Sequence, residues 1–376
     1  MGFRTISLIL VLAIQLINAQ VTLASDKFKR TKQADCKTVR LDNSPGPMSK
    51  IPIQDQNGNA LCAAYAATQL IDTWRLQNER PFLDFTSPFS LGIKYSALTN
   101  RTNLFGLPPK DVLDKAKNIE PCTYSSVGDF FQSNMTTVDV IEQINKAHAA
   151  AQKSPAALAG LAAEIKNCFS ATPPIKRNTL DIAAITRHLQ ETTFVQAAQK
   201  ILQDVCDKRT LSLKTIPNAK EILAIRYGNL ERAMNIFSGT IAGRLDAQPG
   251  KPTGITYCRD VLFDVNKSSL LPTGGFTVGP GANGDLRRQF PVTQNGCDSD
   301  AHNAVIVGRR LVRFKKADGT YGSTCQYLVR DSYGTSCQPF PPDPATFPSE
   351  RCERGQVWVD EDALLYNVSR VFHLED

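Results

Sequence analysis

Asp55-Gln56-Asn57-Gly58-Asn59-Ala60-Leu61-Cys62-Ala63-Ala64-Tyr65-Ala66-Ala67 reads as a glycine-containing loop opening directly into an apolar helix, with a cysteine at the junction and a glutamine six residues earlier. Helix N-termini present N–H groups without intrahelical partners and the positive end of the helix dipole. Both favour the thiolate of Cys62, the form that attacks a carbonyl carbon. A side-chain N–H of Gln56 suits the oxyanion that such an attack creates. The helix is expected to run to about Arg75, with Tyr65, Leu70, Ile71 and Trp74 at helical spacing. The rest of the chain then has to supply a base and a group to orient it.

The chain has 376 residues, 42% of them hydrophobic, which suits one large two-lobed domain or two domains of roughly 100–200 residues. Arg4 precedes Ile6–Ile17, an apolar run broken only by Ser7 and Gln15, and Ala19 and Ala24 offer small-residue cleavage sites. This is the pattern of a secretory signal peptide, expected over residues 1–24. The run is short for a membrane span, so an uncleaved anchor is the lesser alternative and no stable membrane insertion is expected. The mature protein should be exported to a periplasm, a lysosome-like compartment or the medium. Formal net charge is +7, or +6 once Arg4 is removed. That mild excess, with short basic clusters at Lys27–Arg30 and Arg313–Lys316, argues against nucleic acid as a partner. The literal G-x-G-x-x-G of Gly279–Gly284 contains Pro280 and precedes no amphipathic helix; it suits a turn better than a nucleotide site.

Ten cysteines in an exported chain imply disulfides: Cys36, Cys62, Cys122, Cys168, Cys206, Cys258, Cys297, Cys325, Cys337 and Cys352. If Cys62 stays free, at most four bridges form and one thiol is left over; spacing does not fix the pairing. With no C-x-x-C and no H-E-x-x-H in the sequence, neither a metal nor another cofactor is expected. Sequons at Asn100, Asn134, Asn266 and Asn367 are compatible with glycosylation.

Residues 25–50 are polar, hold Pro45 and Pro47, and read as an N-terminal arm rather than a folded pro-domain. Residues 51–135 form a helical lobe around the Cys62 helix, with Ser87-Pro88 announcing a further helix. From 136 to 213 the texture turns to alanine-rich amphipathic helices, opened by Thr136-Thr137-Val138-Asp139 as a capped start. This stretch reads as an insertion of three or four helices, and a last helix follows from Asn229 to about Ala242. After Pro252 the runs Thr253–Tyr257, Ala304–Val312, Gln326–Arg330 and Val357–Val359 are strand-like, and Ala317-Asp318-Gly319 is a hairpin turn. Helices first and strands later make an α+β fold, with residues 214–376 as its β-rich lobe.

Four histidines are available. His148 and His188, among polar and alanine residues, read as surface groups, and His373 as peripheral. His302 follows Gly296-Cys297-Asp298-Ser299-Asp300 and opens the apolar strand Ala304-Val305-Ile306-Val307. A histidine at the mouth of a buried strand is rigidly placed while its ring reaches into a cleft, as a general base requires. Asp331, in Arg330-Asp331-Ser332-Tyr333-Gly334, lies at the far end of the hairpin partner of that strand. The hairpin returns it to His302, where a carboxylate can fix the imidazole tautomer and stabilise the imidazolium.

These stretches resemble the papain-like cysteine peptidases, the papain and cathepsin type. Gln56 and Cys62 match that family's glutamine, five residues, then cysteine at the head of the central helix. His302-Asn303-Ala304-Val305 is similar to its His-Ala-Val strand start, and Asp331-Ser332-Tyr333-Gly334 to its Asn-Ser-Trp-Gly. Weaker echoes are Ser87–Leu91 and Gly250-Lys251-Pro252. The similarity covers about residues 36–125 and 220–376. It implies a two-lobed fold, a helical lobe beside an antiparallel β-sheet or barrel lobe, and a thiol peptidase acting on protein or peptide substrates. It assigns Cys62 as nucleophile, His302 as base, Asp331 as orienter and Gln56 to the oxyanion hole.

The departures are local. Asn59-Ala60-Leu61-Cys62-Ala63 lacks the family's neighbouring cysteine and tryptophan, Asp331 replaces asparagine, Tyr333 replaces tryptophan, and the helices of 136–213 have no counterpart in the simple members. A carboxylate at 331 should raise the pKa of His302. Two other readings follow. A transglutaminase-like acyl transferase shares the first chemical step, and a catalytically inactive binding protein would keep only the scaffold.

Overall fold

The computed structural model describes residues 28–29, 31–56, 60–79, 81–128, 136–154, 158–168, 181–206, 209–227, 229–258, 301–315, 319–337 and 352–375. The signal-peptide reading, the G-x-G-x-x-G stretch, the loop before Ala301 and the sequons at Asn134 and Asn266 lie outside them. After a short strand β1 (Val39–Arg40) come four helices: α1 (Cys62–Asn78), α2 (Pro88–Leu98), α3 (Pro109–Ala116) and α4 (Tyr124–Gly128). Then follow α5 (Thr137–Ala151), α6 (Leu158–Cys168), α7 (Ile182–His188) and α8 (Phe194–Cys206). Strand β2 (Ala219–Leu223) and α9 (Leu230–Asp246) lead into β3 (Thr253–Cys258), β4 (Ala301–Lys315), β5 (Tyr321–Arg330), β6 (Cys352–Glu353), β7 (Gln356–Asp360), α10 (Glu361–Asn367) and β8 (Val368–Leu374). This is an α+β chain.

Local chemistry explains the helix starts. Ser87 accepts from the Ser90 N–H at the head of α2, with Pro88 in the first turn where its missing N–H costs nothing. Thr136 and Asp139 form a reciprocal capping box on α5. Asn229 caps α9. In α1 the alanines Ala63, Ala64, Ala66 and Ala67 are all buried, so the helix packs closely through small side chains against β4.

The sheet is antiparallel throughout, in the order β2-β8-β3-β4-β5-β7-β6, with β1 added beside β4. Among the described residues no pairing in the sheet joins β2 to β6. Its core is the fully buried run Ala304–Val307 with Tyr327, Leu328, Val329 and Trp358. The β4–β5 pairing runs from Val305↔Arg330 to Lys315↔Tyr321, the long hairpin expected from the sequence.

Helices α5–α8 pack on one another, and α8 packs on α2 and α4. Cys122–Cys206 fastens this group covalently to the segment before α4. Two further bridges, Cys36–Cys325 and Cys337–Cys352, tie the N-terminal arm to β5 and the segment after Asp331 to β6. No helix among the described residues is long and apolar enough to cross a membrane.

Three surface expectations are corrected. His148 is buried, its Nε2 2.8 Å from the Glu191 carbonyl oxygen. His373 is buried too, because β8 lies inside the sheet between β2 and β3. Asn367 of the last sequon is fully buried, with its side-chain amide donating to the Ala363 carbonyl, so the folded protein offers no glycosylation site there.

Candidate active site

Cys62 is the first residue of α1, half-buried, with Leu61 at the N-cap position and no side chain capping the helix start. The positive end of the helix dipole therefore lies at the thiol. Among the described residues it is one of two free cysteines; the other, Cys168 in α6, is buried.

His302 pairs across the sheet with Tyr257 of β3 and is buried. Its Nε2 lies 2.9 Å from Asp331 Oδ1 and 3.1 Å from the main-chain oxygen of the same residue. Two acceptors from one residue thus hold the proton on Nε2, and Cys62 is coupled electrostatically to the same ring. Asp331 is fully buried, and the same Oδ1 accepts from the Tyr257 hydroxyl. The Tyr257 ring stands edge-on to the imidazole at 5.8 Å, and the Tyr333 ring lies tilted against it at 5.5 Å. These aromatic walls screen the His302–Asp331 contact from water, which strengthens it. Tyr333 occupies the shielding place that the resemblance gives to tryptophan.

The electrostatics follow from these contacts. For His302, burial pulls the pKa down, but the Asp331 carboxylate and its hydrogen bond, joined by Cys62, carry it well above the ordinary imidazole value. Burial pushes the Cys62 thiol up. The hydrogen bond and charge of His302, with hydrogen bonds from Asn303, outweigh burial and bring it below the ordinary thiol value. The pair therefore favours thiolate and imidazolium together.

Gln56 is buried and is fixed by its main chain to the loop after Asp331. Its N–H donates to the Ser332 carbonyl at 2.8 Å, and the Gly334 N–H returns to the Gln54 carbonyl at 3.1 Å, around an Asp55↔Tyr333 bridge. Gln69 of α1 donates to Ser332 Oγ at 3.2 Å. Ser332 has φ +58° and Gly334 φ +72°, the left-handed region that most side chains avoid. At Gly334 a Cβ would also lie 2.9 Å from Asp55 Oδ2. The four residues singled out from sequence are thus held by one region of the fold: His302 against Asp331, Cys62 coupled electrostatically to His302, and Gln56 on a segment bonded to the loop after Asp331.

Three neighbours escaped the sequence reading. Tyr257 contacts Asp331, Asn303 Nδ2 donates to Cys62 Sγ at 3.3 Å, and Thr256 Oγ1 donates to Asn303 Oδ1 at 2.6 Å. Only the β3–β4 register, Thr256↔Asn303 and Tyr257↔His302, brings them there. No group of three or more His, Cys, Asp or Glu side chains among the described residues is arranged to hold a metal ion.

No protein-family model and no curated protein matches the sequence. Among solved structures the chain is similar to SERA5E from Plasmodium falciparum, with 12% identity and a TM-score of 0.46 over 92% of this chain and 98% of that one. It is also similar to xylellain, a cysteine protease from Xylella fastidiosa, with 11% identity and a TM-score of 0.37 over 93% of this chain and 90% of that one. At these TM-scores neither likeness says anything of activity.

Proposed function

We propose that the chain is an exported cysteine peptidase of papain-like build. The observation that carries this reading is the cluster Cys62, His302 and Asp331: a free thiol at a helix start, electrostatically coupled to a buried imidazole whose Nε2 is 2.9 Å from a fully buried carboxylate. Thiolate Sγ attacks the scissile carbonyl carbon, and the oxyanion is held by the Gln56 side-chain amide and the Cys62 main-chain N–H. Protonated His302 gives its Nδ1 proton to the leaving amine. It then takes a proton from the water that hydrolyses the acyl-enzyme, so that the carboxylic acid leaves, sulfur departs as thiolate and the thiolate–imidazolium pair is restored. Asp331 keeps the imidazole oriented and favours its charged form. The three disulfides among the described residues are the chemistry of an oxidising compartment, in keeping with export. We assign residues 136–213 as a helical unit added to the peptidase lobes, docked through α8.

Cys62→Ala tests the reading directly. Hydrolysis of a denatured protein substrate should vanish, and labelling by a thiol-directed alkylating agent should fall to the level owed to Cys168; undiminished hydrolysis would reject the mechanism. Amine incorporation into a glutamine-containing protein, exceeding hydrolysis, would point instead to acyl transfer.

A further inference from the structure

The geometry points to Asn303 as a third group acting on the reacting sulfur: we propose that its side-chain amide, aimed by Thr256, is a thiolate-stabilising donor of the site. The inference rests on the cysteine-peptidase reading for its relevance to catalysis, but its chemistry is separate from peptide hydrolysis.

Asn303 Nδ2 is 3.3 Å from Cys62 Sγ, and Asn303 is 5% exposed. An amide has two faces, and only the NH2 face stabilises an anion. The opposite orientation would put a carbonyl oxygen against the sulfur and oppose its ionisation. Thr256 decides between them. Its hydroxyl, on the residue directly across the strand pair, donates at 2.6 Å to Asn303 Oδ1 and so turns the NH2 group to the thiol. Thr256 is itself 5% exposed, so water competes little for either bond. The helix dipole, His302 and Asn303 thus all favour negative charge on Sγ. Of the three only His302 titrates, so the Asn303 amide, like the helix dipole, acts unchanged at any working pH.

Donation to the thiolate holds charge on sulfur, and that charge moves to the substrate oxygen when the S–C bond forms. Asn303 therefore widens the pH range in which the nucleophile exists while slightly reducing its intrinsic reactivity. The test is the pH dependence of iodoacetamide alkylation of Cys62 in the full-length protein, with Cys62→Ser as the blank for Cys168. In Asn303→Ala the midpoint should rise by about one unit, roughly tenfold less thiolate on the acid limb. On the alkaline plateau the rate should be about threefold higher, following the dependence of thiolate nucleophilicity on basicity. Asn303→Asp, nearly isosteric, should raise the midpoint further, because a carboxylate faces the sulfur. Thr256→Val should shift it in the same direction by less. These last two carry the test if Asn303→Ala does not fold. An unchanged midpoint in folded Asn303 variants overturns the proposal even if wild-type Cys62 titrates low. A shifted midpoint in a protein that cleaves no peptide upholds the role of Asn303 and sinks the peptidase reading alone. A wild-type midpoint near the ordinary thiol value of about 8.5 overturns both.

Discussion

Replacing Asp331 by asparagine removes the charge beside His302 while preserving its shape. Asp331 Oδ1 is 2.9 Å from Nε2. With about 4 Å between charge centres and an effective dielectric of about 20, the attraction is on the order of 4 kcal/mol. An opposite charge at this range raises a pKa by about one to three units. In Asp331→Asn the Tyr257 hydroxyl can still hold the amide oxygen where Oδ1 stood, and the main-chain oxygen of residue 331 still accepts from Nε2 at 3.1 Å. Ring orientation should survive while the imidazolium loses its counter-charge. The sign is fixed by the linkage: the alkaline limb of peptidase kcat/KM reports loss of the proton from His302, so it should fall by about one to three pH units. The rate at the new optimum should fall by about tenfold or less, since the loss is one of charge with the hydrogen bonds retained. The assay is kcat/KM on a peptide substrate from pH 4 to pH 10, with a thermal melt as the fold control. A folded variant whose alkaline limb stays within about 0.3 unit of wild type would refute the claim that Asp331 sets the charge of His302.

Gly334→Ala combines a φ of +72° with a Cβ at 2.9 Å from Asp55 Oδ2, and should cost about 1–2 kcal/mol of stability. Because the loop of Gly334 is bonded to the segment that carries Gln56, kcat/KM should fall while the alkylation midpoint of Cys62 holds. Loss of both together would deny the separation of oxyanion and thiolate sites. Asp72, fully buried in α1, is pushed by burial up to about 6, against the hydrogen bonds from Thr86 and Arg75 that favour its charge. A carboxyl raised in the folded state contributes stability below its unfolded pKa of about 4 and loses it as pH rises through the folded value. Calorimetry from pH 4 to pH 7 should show Asp72→Asn losing less stability than wild type, by up to about 3 kcal/mol. Parallel curves would contradict it.

The site was legible in sequence where chemistry is local or topology simple. A thiol at a loop-to-helix junction and a histidine opening an apolar strand each declare a setting within a few residues. Asp331 needed only the rule that a hairpin returns to its starting side. Asn303 was hidden because adjacent strand residues point to opposite faces; period-two reasoning sends it away from His302, and only the actual register delivers its amide to Cys62. For His148 the signal existed: Val140, Ile144 and His148 share a helical face, and all three are buried. Composition around the residue obscured that spacing. His373 is buried by the placing of β8 between β2 and β3, a pairing no local pattern specifies.

The contacts that make the site span most of the chain. Asn303 meets Cys62 across 241 positions, and Gln69 meets Ser332 across 263. Contacts of such high sequence separation must repay a large loop-closure entropy, which places them among the late events of folding. Until the β3–β5 hairpins dock on α1, Cys62 has neither imidazole nor amide beside it and reacts as an ordinary thiol. The fold thereby keeps the groups that favour the ionised thiol away from Cys62 in an incompletely folded chain, and they reach it together with the finished tertiary structure.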